Sequence, residues 1–495
     1  MTTASTLAPP ARPVVRSRRS SPWWVAGIAG VVAFSGSGSA SLNGDELATI
    51  SAASRSLPGL WELARHIDGH FLPYYLFMQL WAQAGTAELW LRLPSALAIG
   101  VAAWFLVDLG RRLHSTWAGV TAGLLFAALP SVSYYGAFAR SYAPAAAAVV
   151  FSFWALHRTT QAQQQATRAQ QQAEQAQEQA ERAPWVVYAA AVALVCCTHL
   201  FAVLVLPAQL VAAVALLPRR TVLLRWAPAV AVGCLPALVL GLVGYGERHA
   251  ISWIPQRGPE VLLKFPKMAA GSTEVGVVLF VVALAGVVLL RNRAWAGTLL
   301  GWLVLPPVLL LAVSQLVTPV YVDRYLFVAA PALALLAGIA VASVPRAAVV
   351  ACCGLVVVAV AVGIPQQVEV REANGRFEDF PWAVRRVDAR PGDAIVFGQS
   401  SVRAGFDYYR DGSMPDDVLR LGAAPEAEGF GFPERDDVAA ALADRERVWV
   451  VWRGVKSAGQ KLPRVKAVRE AGYEQTGSWH SAETPGLTVA LFARK

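Results

Sequence analysis

Trp23-Trp24-Val25-Ala26-Gly27-Ile28-Ala29-Gly30-Val31-Val32-Ala33-Phe34 opens an apolar run that continues to about Leu42 and stops at Gly44-Asp45-Glu46. An uncharged run of roughly 20 residues is long enough to cross the hydrocarbon core of a bilayer as a helix. Two adjacent carboxylates therefore stand at the mouth of an expected span. Upstream lie Arg12, Arg16, Arg18 and Arg19 in a Pro- and Ser-rich lead, residues 1–22. Such a lead is expected to be disordered and to stay on the cytoplasmic side. Gly44-Asp45-Glu46 then faces the outer side. A cleaved signal peptide is the competing reading, and the many further spans argue against it.

Working outward, similar apolar stretches recur to about Ile364. Hydrophobic residues make up 56% of the 495-residue chain and charged residues 15%, against about 25% charged in soluble domains. The expected fold is an all-α polytopic membrane protein with a small C-terminal α/β domain. About eleven spans are expected, near 23–42, 90–110, 117–135, 141–158, 185–200, 201–217, 226–244, 273–290, 295–316, 325–344 and 347–364. With the N-terminus inside, the inner loops hold Arg111-Arg112, Arg158 to Arg182, Arg219-Arg220-Arg225, Arg291-Arg293 and Arg346, as the positive-inside rule requires. An odd span count places the C-terminal domain outside. The chain is thus a multi-pass protein of the plasma membrane.

The net charge of +10 belongs to the membrane part, because residues 366–495 are nearly balanced, with 19 Lys+Arg against 20 Asp+Glu. The basic residues sit in short loops between spans, so nucleic acid is excluded as a partner and membrane lipid is expected. The five cysteines all lie in apolar segments and show no metal or disulfide spacing. Residues 161–182, rich in Gln, Ala and Glu, read as a solvated helical connection.

The chain divides into the lead 1–22, a transmembrane domain 23–365 carrying an outer segment 43–89, and a soluble domain 366–495. In the outer segment, Leu47 to Arg65 and the aromatic-rich Leu72 to Trp81 suit helices lying at the interface. In the tail, helices are expected at Pro381 to Arg390 (with Asp379 as cap), Asp436 to Asp444 and Lys461 to Gly472. Strands are expected at Ala394 to Phe397, Val448 to Trp452 and Leu487 to Phe492.

The polar residues of the outer face suit a particular chemistry. Transfer of a glycosyl group to a hydroxyl needs a base for the acceptor proton and cations for a leaving phosphate. Asp45 and Glu46 can supply the base, since neighbouring carboxylates raise one another's pKa. The plainer reading is the first turn of a capped helix. Nine basic residues fall outside: Arg55, Arg65, Arg92, Arg140, Arg248, Arg257, Lys264, Lys267 and Arg324. Arg92, Arg140 and Arg324 stand at span ends, where an unpaired charge is costly. They need either phosphate or a carboxylate such as Asp68 or Asp323. Tyr134 to Tyr142 gives Arg140 an aromatic setting suited to a lipid-linked sugar. His66, Asp68 and His70 with the acidic pair invite a divalent metal, but their spacing matches no fixed motif. No cofactor is therefore expected. His199 reads as a core histidine at an outer helix end.

Gly44-Asp45-Glu46, His70-Phe71-Leu72-Pro73-Tyr74-Tyr75, Leu91-Arg92-Leu93-Pro94-Ser95-Ala96, Ala139-Arg140-Ser141-Tyr142 and Asp323-Arg324-Tyr325-Leu326 follow one another in an order that resembles the GT-C glycosyltransferases. The likeness is to bacterial enzymes similar to protein O-mannosyltransferases and lipid A aminoarabinose transferases, and it covers about residues 23–345. It implies a membrane enzyme that takes a sugar, mannose by the family, from a polyprenyl-phosphate donor on the outer side. The acceptor is a glycan, lipid or protein. It implies inverting displacement with Asp45 as base and Glu46 beside it. Donor phosphate and sugar contacts map onto Arg92, Arg140, Tyr142, Arg324, His70 and Tyr74. The departure is His70-Phe71-Leu72-Pro73, where the family often reads His-Pro-Pro. The alternatives are a lipid or glycan transporter, which favours charges within spans, and a non-catalytic envelope assembly factor.

Overall fold

The computed structural model describes residues 22–169, 177–246, 252–410, 412, 414–482 and 485–495. The expected N-terminal lead, the middle of the Gln/Ala/Glu tract and Arg248 lie outside the described residues. The first helix, α1 (Trp23–Phe34), is followed by three short helices of the segment 43–89: α2 (Gly44–Ala53), α3 (Leu57–Ala64) and α4 (Leu72–Trp81). The long helix α5 (Glu88–Leu113) returns across the molecule and is followed by α6 (Thr116–Ala128), α7 (Pro130–Gly136) and α8 (Tyr142–Ala169).

Five described helices are long and apolar enough to cross a membrane, and counting two bent pairs as single spans gives up to seven. Eleven were expected. The difference arises where apolar runs are broken or short. Pro130 lacks the amide hydrogen that would continue α6, and α6 and α7 meet at a bend of 67°. Pro259–Ala270 and Thr273–Leu289 meet at 97°. Three more apolar helices, Trp23–Phe34, Ala183–Thr198 and Leu200–Leu216, are shorter.

Small residues bring the helices together, as is usual where lipid removes the hydrophobic drive between them. A Cβ on Gly119 of α6 would fall 2.2 Å from the Val107 carbonyl oxygen of α5. At the second bend Gly271 has φ +82, and a Cβ there would meet the Ser131 nitrogen at 2.3 Å. That bend therefore packs directly on the start of α7.

The tail forms a five-stranded sheet from β1 (Ala394–Phe397), β2 (Asp416–Asp417), β3 (Arg447–Arg453), β4 (Tyr473–His480) and β5 (Leu487–Arg494), in the order β2-β1-β3-β5-β4. β1 pairs in parallel with β2 and β3, while β5 is antiparallel to β3 and β4. The expected strands are present, and β2 and β4 are added. The expected helices are shorter than their sequence patterns: Phe380–Arg386, Val438–Ala441 and Pro463–Glu470. Asp379 does cap the first, accepting from the Trp382 N–H at 2.9 Å.

Strand alternation divides the sheet between two cores. Ala394, Val396, Val448, Val450 and Trp452 pack with Val465 and Val468. Ile395, Phe397, Trp449, Val451, Leu487 and Val489 belong instead to the apolar cluster that runs through the membrane helices. The tail is thus joined to the membrane part by continuous packing on one sheet face.

Candidate active site

The α2 helix starts at Asn43, whose extended backbone (φ −97, ψ 177) and side chain make a capping box. Asn43 Oδ1 accepts from the Glu46 N–H at 3.1 Å, and Glu46 Oε2 accepts from the Asn43 N–H at 3.3 Å. This reciprocal arrangement satisfies two amides at the helix start. It also separates the acidic pair, because consecutive helical residues point in different directions. Glu46 turns inward and Asp45 outward.

Glu46 and Arg92 are both fully buried and paired with each other. Arg92 Nε and Nη2 each donate to Glu46 at 2.8 Å, and the remaining hydrogens go to the carbonyls of Ser37, Ala40 and Ser41. Glu46 Oε1 accepts the Ala139 N–H at 2.9 Å. Burial alone would push the Glu46 carboxyl up, but the Arg92 charge and its hydrogen bonds hold it below the usual range. This corrects two expectations. Glu46 has no free lone pair for an acceptor proton, and Arg92 has no free donor for a phosphate. Together they lock α2 to α5 and to the turn before α8.

Asp45 remains 32% exposed, and its Oδ2 stands 3.6 Å from Arg324 Nη1, itself 28% exposed. Two cavities meet at this pair. One, of about 910 Å³, is lined by Asp45, Asp68, His70, Phe71, Arg140 and Arg324, and on its far side by tail residues including Tyr408, Phe430 and Arg453. The other, of about 1050 Å³, is lined by Tyr134 and Tyr135, by four basic residues, Arg257, Lys264, Lys267 and Arg324, and by five acidic ones, Asp45, Glu274, Asp323, Glu369 and Glu372. Asn43, Asp45, Trp253, Ile254, Arg324 and Phe377 line both.

Arg140 lies almost buried under the first cavity. Its Nη1 donates to the Tyr75 hydroxyl at 2.5 Å and its Nη2 to Asp68 Oδ2 at 3.1 Å, while Tyr75 donates to that same Oδ2 at 2.6 Å. The guanidinium lies 4.1 Å over the Phe71 ring, a favourable cation–π distance. Asp68 is the carboxylate partner anticipated for an arginine at a span end. Arg140 Nε and Arg324 Nε have no hydrogen-bond partner among the described residues.

His70 lines the first cavity, and burial pushes its imidazole down to about 4. Tyr74 and Tyr142, expected to touch donor, are buried behind it and line neither cavity. Tyr142 stands in a ring cluster with Phe71, Tyr135 and His199, and its hydroxyl has no hydrogen-bond partner among the described residues. His66, Asp68 and His70 do not converge as metal ligands. Asp68 is taken by Arg140, and His66 faces Glu62 and Glu428 on the surface. Among the described residues, Glu62, His66 and Glu428 are the group close enough to share an ion, and none of them lines either cavity.

Several site residues had no signal in the sequence. Arg376 is buried, donates to the carbonyls of Tyr134 at 2.7 Å and Ala137 at 2.6 Å, and lies 4.1 Å over the Tyr134 ring. Glu378 Oε2 accepts the Gly44 N–H at 2.6 Å, and Glu378 pairs with Arg453 of β3. Glu378 thus reaches the start of α2, and Arg376 the segment before α8, from the far end of the chain. Trp253 joins them from the loop before the second bend, its ring 5.6 Å from the Arg324 guanidinium.

Residues 71–169 match the dolichyl-phosphate-mannose-protein mannosyltransferase family. No curated protein matches the sequence. Among solved structures, the chain is similar to ArnT from Cupriavidus metallidurans bound to undecaprenyl phosphate, at 14% identity and TM-score 0.56, over 94% of this chain and 97% of that one. The apo form of the same protein gives a TM-score of 0.54 with the same identity and coverage. The arabinofuranosyltransferase AftD from Mycobacteria gives 0.50 at 16% identity, over 96% of this chain and 41% of that one. The chain has the fold of the GT-C membrane glycosyltransferases. Its likeness to ArnT extends through the C-terminal sheet as well as the membrane helices, as the coverage of both chains requires.

Proposed function

We infer that this chain is a plasma-membrane glycosyltransferase that moves a sugar, mannose by the family match of residues 71–169, from a polyprenyl-phosphate donor to a hydroxyl acceptor. The observation that carries this reading is the Asp45 carboxylate, about one-third exposed where two cavities meet, with Arg324 facing it and Arg257, Lys264 and Lys267 in the wall of the second cavity. The acceptor oxygen attacks the anomeric carbon from the side of Asp45, which takes its proton. The bond from that carbon to the phosphate oxygen breaks with inversion. The electron pair leaves on the polyprenyl phosphate, whose growing charge is met by Arg324 and the neighbouring Arg257, Lys264 and Lys267. Preorganised cations of this kind stabilise a leaving anion without reorganisation at the moment of reaction.

On this reading the N-terminus is cytoplasmic, the site and the tail are extracytoplasmic, and protein side chains receive the phosphate. The acceptor is a glycan, a lipid or a protein hydroxyl. The test is transfer by the full chain in lipid nanodiscs, with radiolabelled undecaprenyl-phosphate mannose as donor. Serine-containing peptides, lipoglycan extract and hexyl mannoside serve as acceptors. Label should appear in an acceptor and vanish with Asp45→Ala at unchanged thermal stability. Wild-type transfer rates from Asp45→Ala would overturn the mechanism.

A further inference from the structure

Phe377 stands in the left-handed region at φ 68, one of only three non-glycine residues with positive φ among the described residues. A bulky residue there is strained, and such strain persists only where the surroundings enforce it. The enforcement is visible on both sides. Arg376 is fixed by two carbonyls and the Tyr134 ring. Glu378 holds the Gly44 amide and Arg453, and its own carbonyl accepts the Ser41 hydroxyl. Between these anchors the Phe377 side chain stays 48% exposed, unusual for a ring whose neighbours are buried, and it lines both cavities. The ring is thus held out into the space where Asp45 also opens.

We propose that Phe377 is a specificity-determining residue, an aromatic platform on which the sugar ring of a glycan acceptor stacks beside Asp45. This rests on the glycosyltransferase reading above. The face of an aromatic ring is its negative side, and it attracts the C–H groups on the apolar face of a pyranose or furanose. The first cavity supplies polar groups for the hydroxyls: Ser401 on its tail wall, and the outer lone pairs of Asp407 and Asp68, whose charges are already met by Arg420 and Arg140. Arg257, Lys264 and Lys267 line the other cavity and not this one, so a lipid phosphate has anchors apart from the sugar's. The tail, by this inference, selects the acceptor through the segment it inserts next to α2.

The experiment measures binding of two probes to the full chain in nanodiscs: hexyl glycosides of mannose, glucose and arabinose, and undecaprenyl phosphate. Phe377→Ala should weaken the best-bound glycoside by about tenfold or more and undecaprenyl phosphate by less than roughly threefold. Phe377→Trp should keep glycoside binding. Phe377→Gly separates recognition from folding, since glycine adopts this backbone without strain. It should melt no lower than wild type and still lose the glycoside. Unchanged glycoside affinity in Phe377→Ala, equal weakening of both probes, or no saturable glycoside binding by wild type would each overturn the inference. Failure of the parent reading looks different: wild type would then neither bind undecaprenyl phosphate nor transfer sugar from its mannose ester.

Discussion

Asp45 and Arg324 face each other at 3.6 Å across the boundary of two cavities, each about one-third exposed. The separation is longer than a hydrogen bond, so the carboxylate is oriented by the cation without being consumed by it. Asp45→Asn keeps the shape and removes the base. Transfer should fall by about 10²–10⁴-fold, the usual contribution of a positioned base, while undecaprenyl phosphate still binds. Single-turnover rates with preloaded donor check this, and a rate within threefold of wild type would sink it.

Glu46 makes the contrasting prediction. Its charge is paired with Arg92 where neither side chain is exposed. Removing one partner strands the other, at a cost of about 3–5 kcal/mol. Glu46→Ala and Arg92→Leu should each lower thermal stability strongly. The double variant Glu46→Leu with Arg92→Leu should recover part of the loss, because two apolar groups leave no charge unpaired. Melting in nanodiscs decides it. A single variant that melts normally yet fails to transfer would return Glu46 to the reaction.

His70 sets a limb of the pH profile. Burial lowers its folded pKa to about 4, with Arg140 and Arg324 pushing the same way and Asp68 opposing. A histidine whose pKa is depressed on folding binds more protons when unfolded. Its contribution to stability is therefore complete above about pH 6.5 and is lost as pH falls toward 4. Given its partial exposure, the loss is about 1–2 kcal/mol. His70→Gln should flatten the acid side of melting temperature against pH across that window. An unchanged acid limb would show that His70 does not stay neutral in the fold.

Much of the membrane part was legible because apolar runs of spanning length carry a strong signal, and span ends reveal unpaired charges. Asp45, Arg140 and Arg324 were reached that way, and Asp68 as a carboxylate partner. What sequence could not give was direction. Asp45 and Glu46 are neighbours with opposite fates, decided by the capping box of Asn43 and by Arg92 lying behind the helix. Arg92 read as a phosphate ligand for the same reason, since a buried cation at a span end looks alike whether a carboxylate or a substrate neutralises it. The tail's part in the site was invisible. Arg376, Phe377 and Glu378 sit in an unremarkable connector, and only the fold brings Glu378 against Gly44, Arg376 against Tyr134 and Phe377 into the cavities. Pro130 also bends a run, 117–135, that composition alone reads as one straight span.

That connector yields the last prediction. Glu378 is largely buried, and burial raises its carboxyl even with Arg453 beside it. Arg453→Ala removes the cation and leaves the acid holding the Gly44 amide alone. Arg453 is about one-third exposed, so the stability cost is modest, about 1–2 kcal/mol. The cost in rate should be larger. Gly44 precedes the proposed base, and a displacement near 1 Å at a reacting group costs about 10²-fold. Arg453→Lys should restore part of both, because the charge returns without the fork geometry. Parallel melting and transfer assays on the two variants give the comparison. If Arg453→Ala loses stability while transferring at the wild-type rate, the tail docks on the site without positioning Asp45.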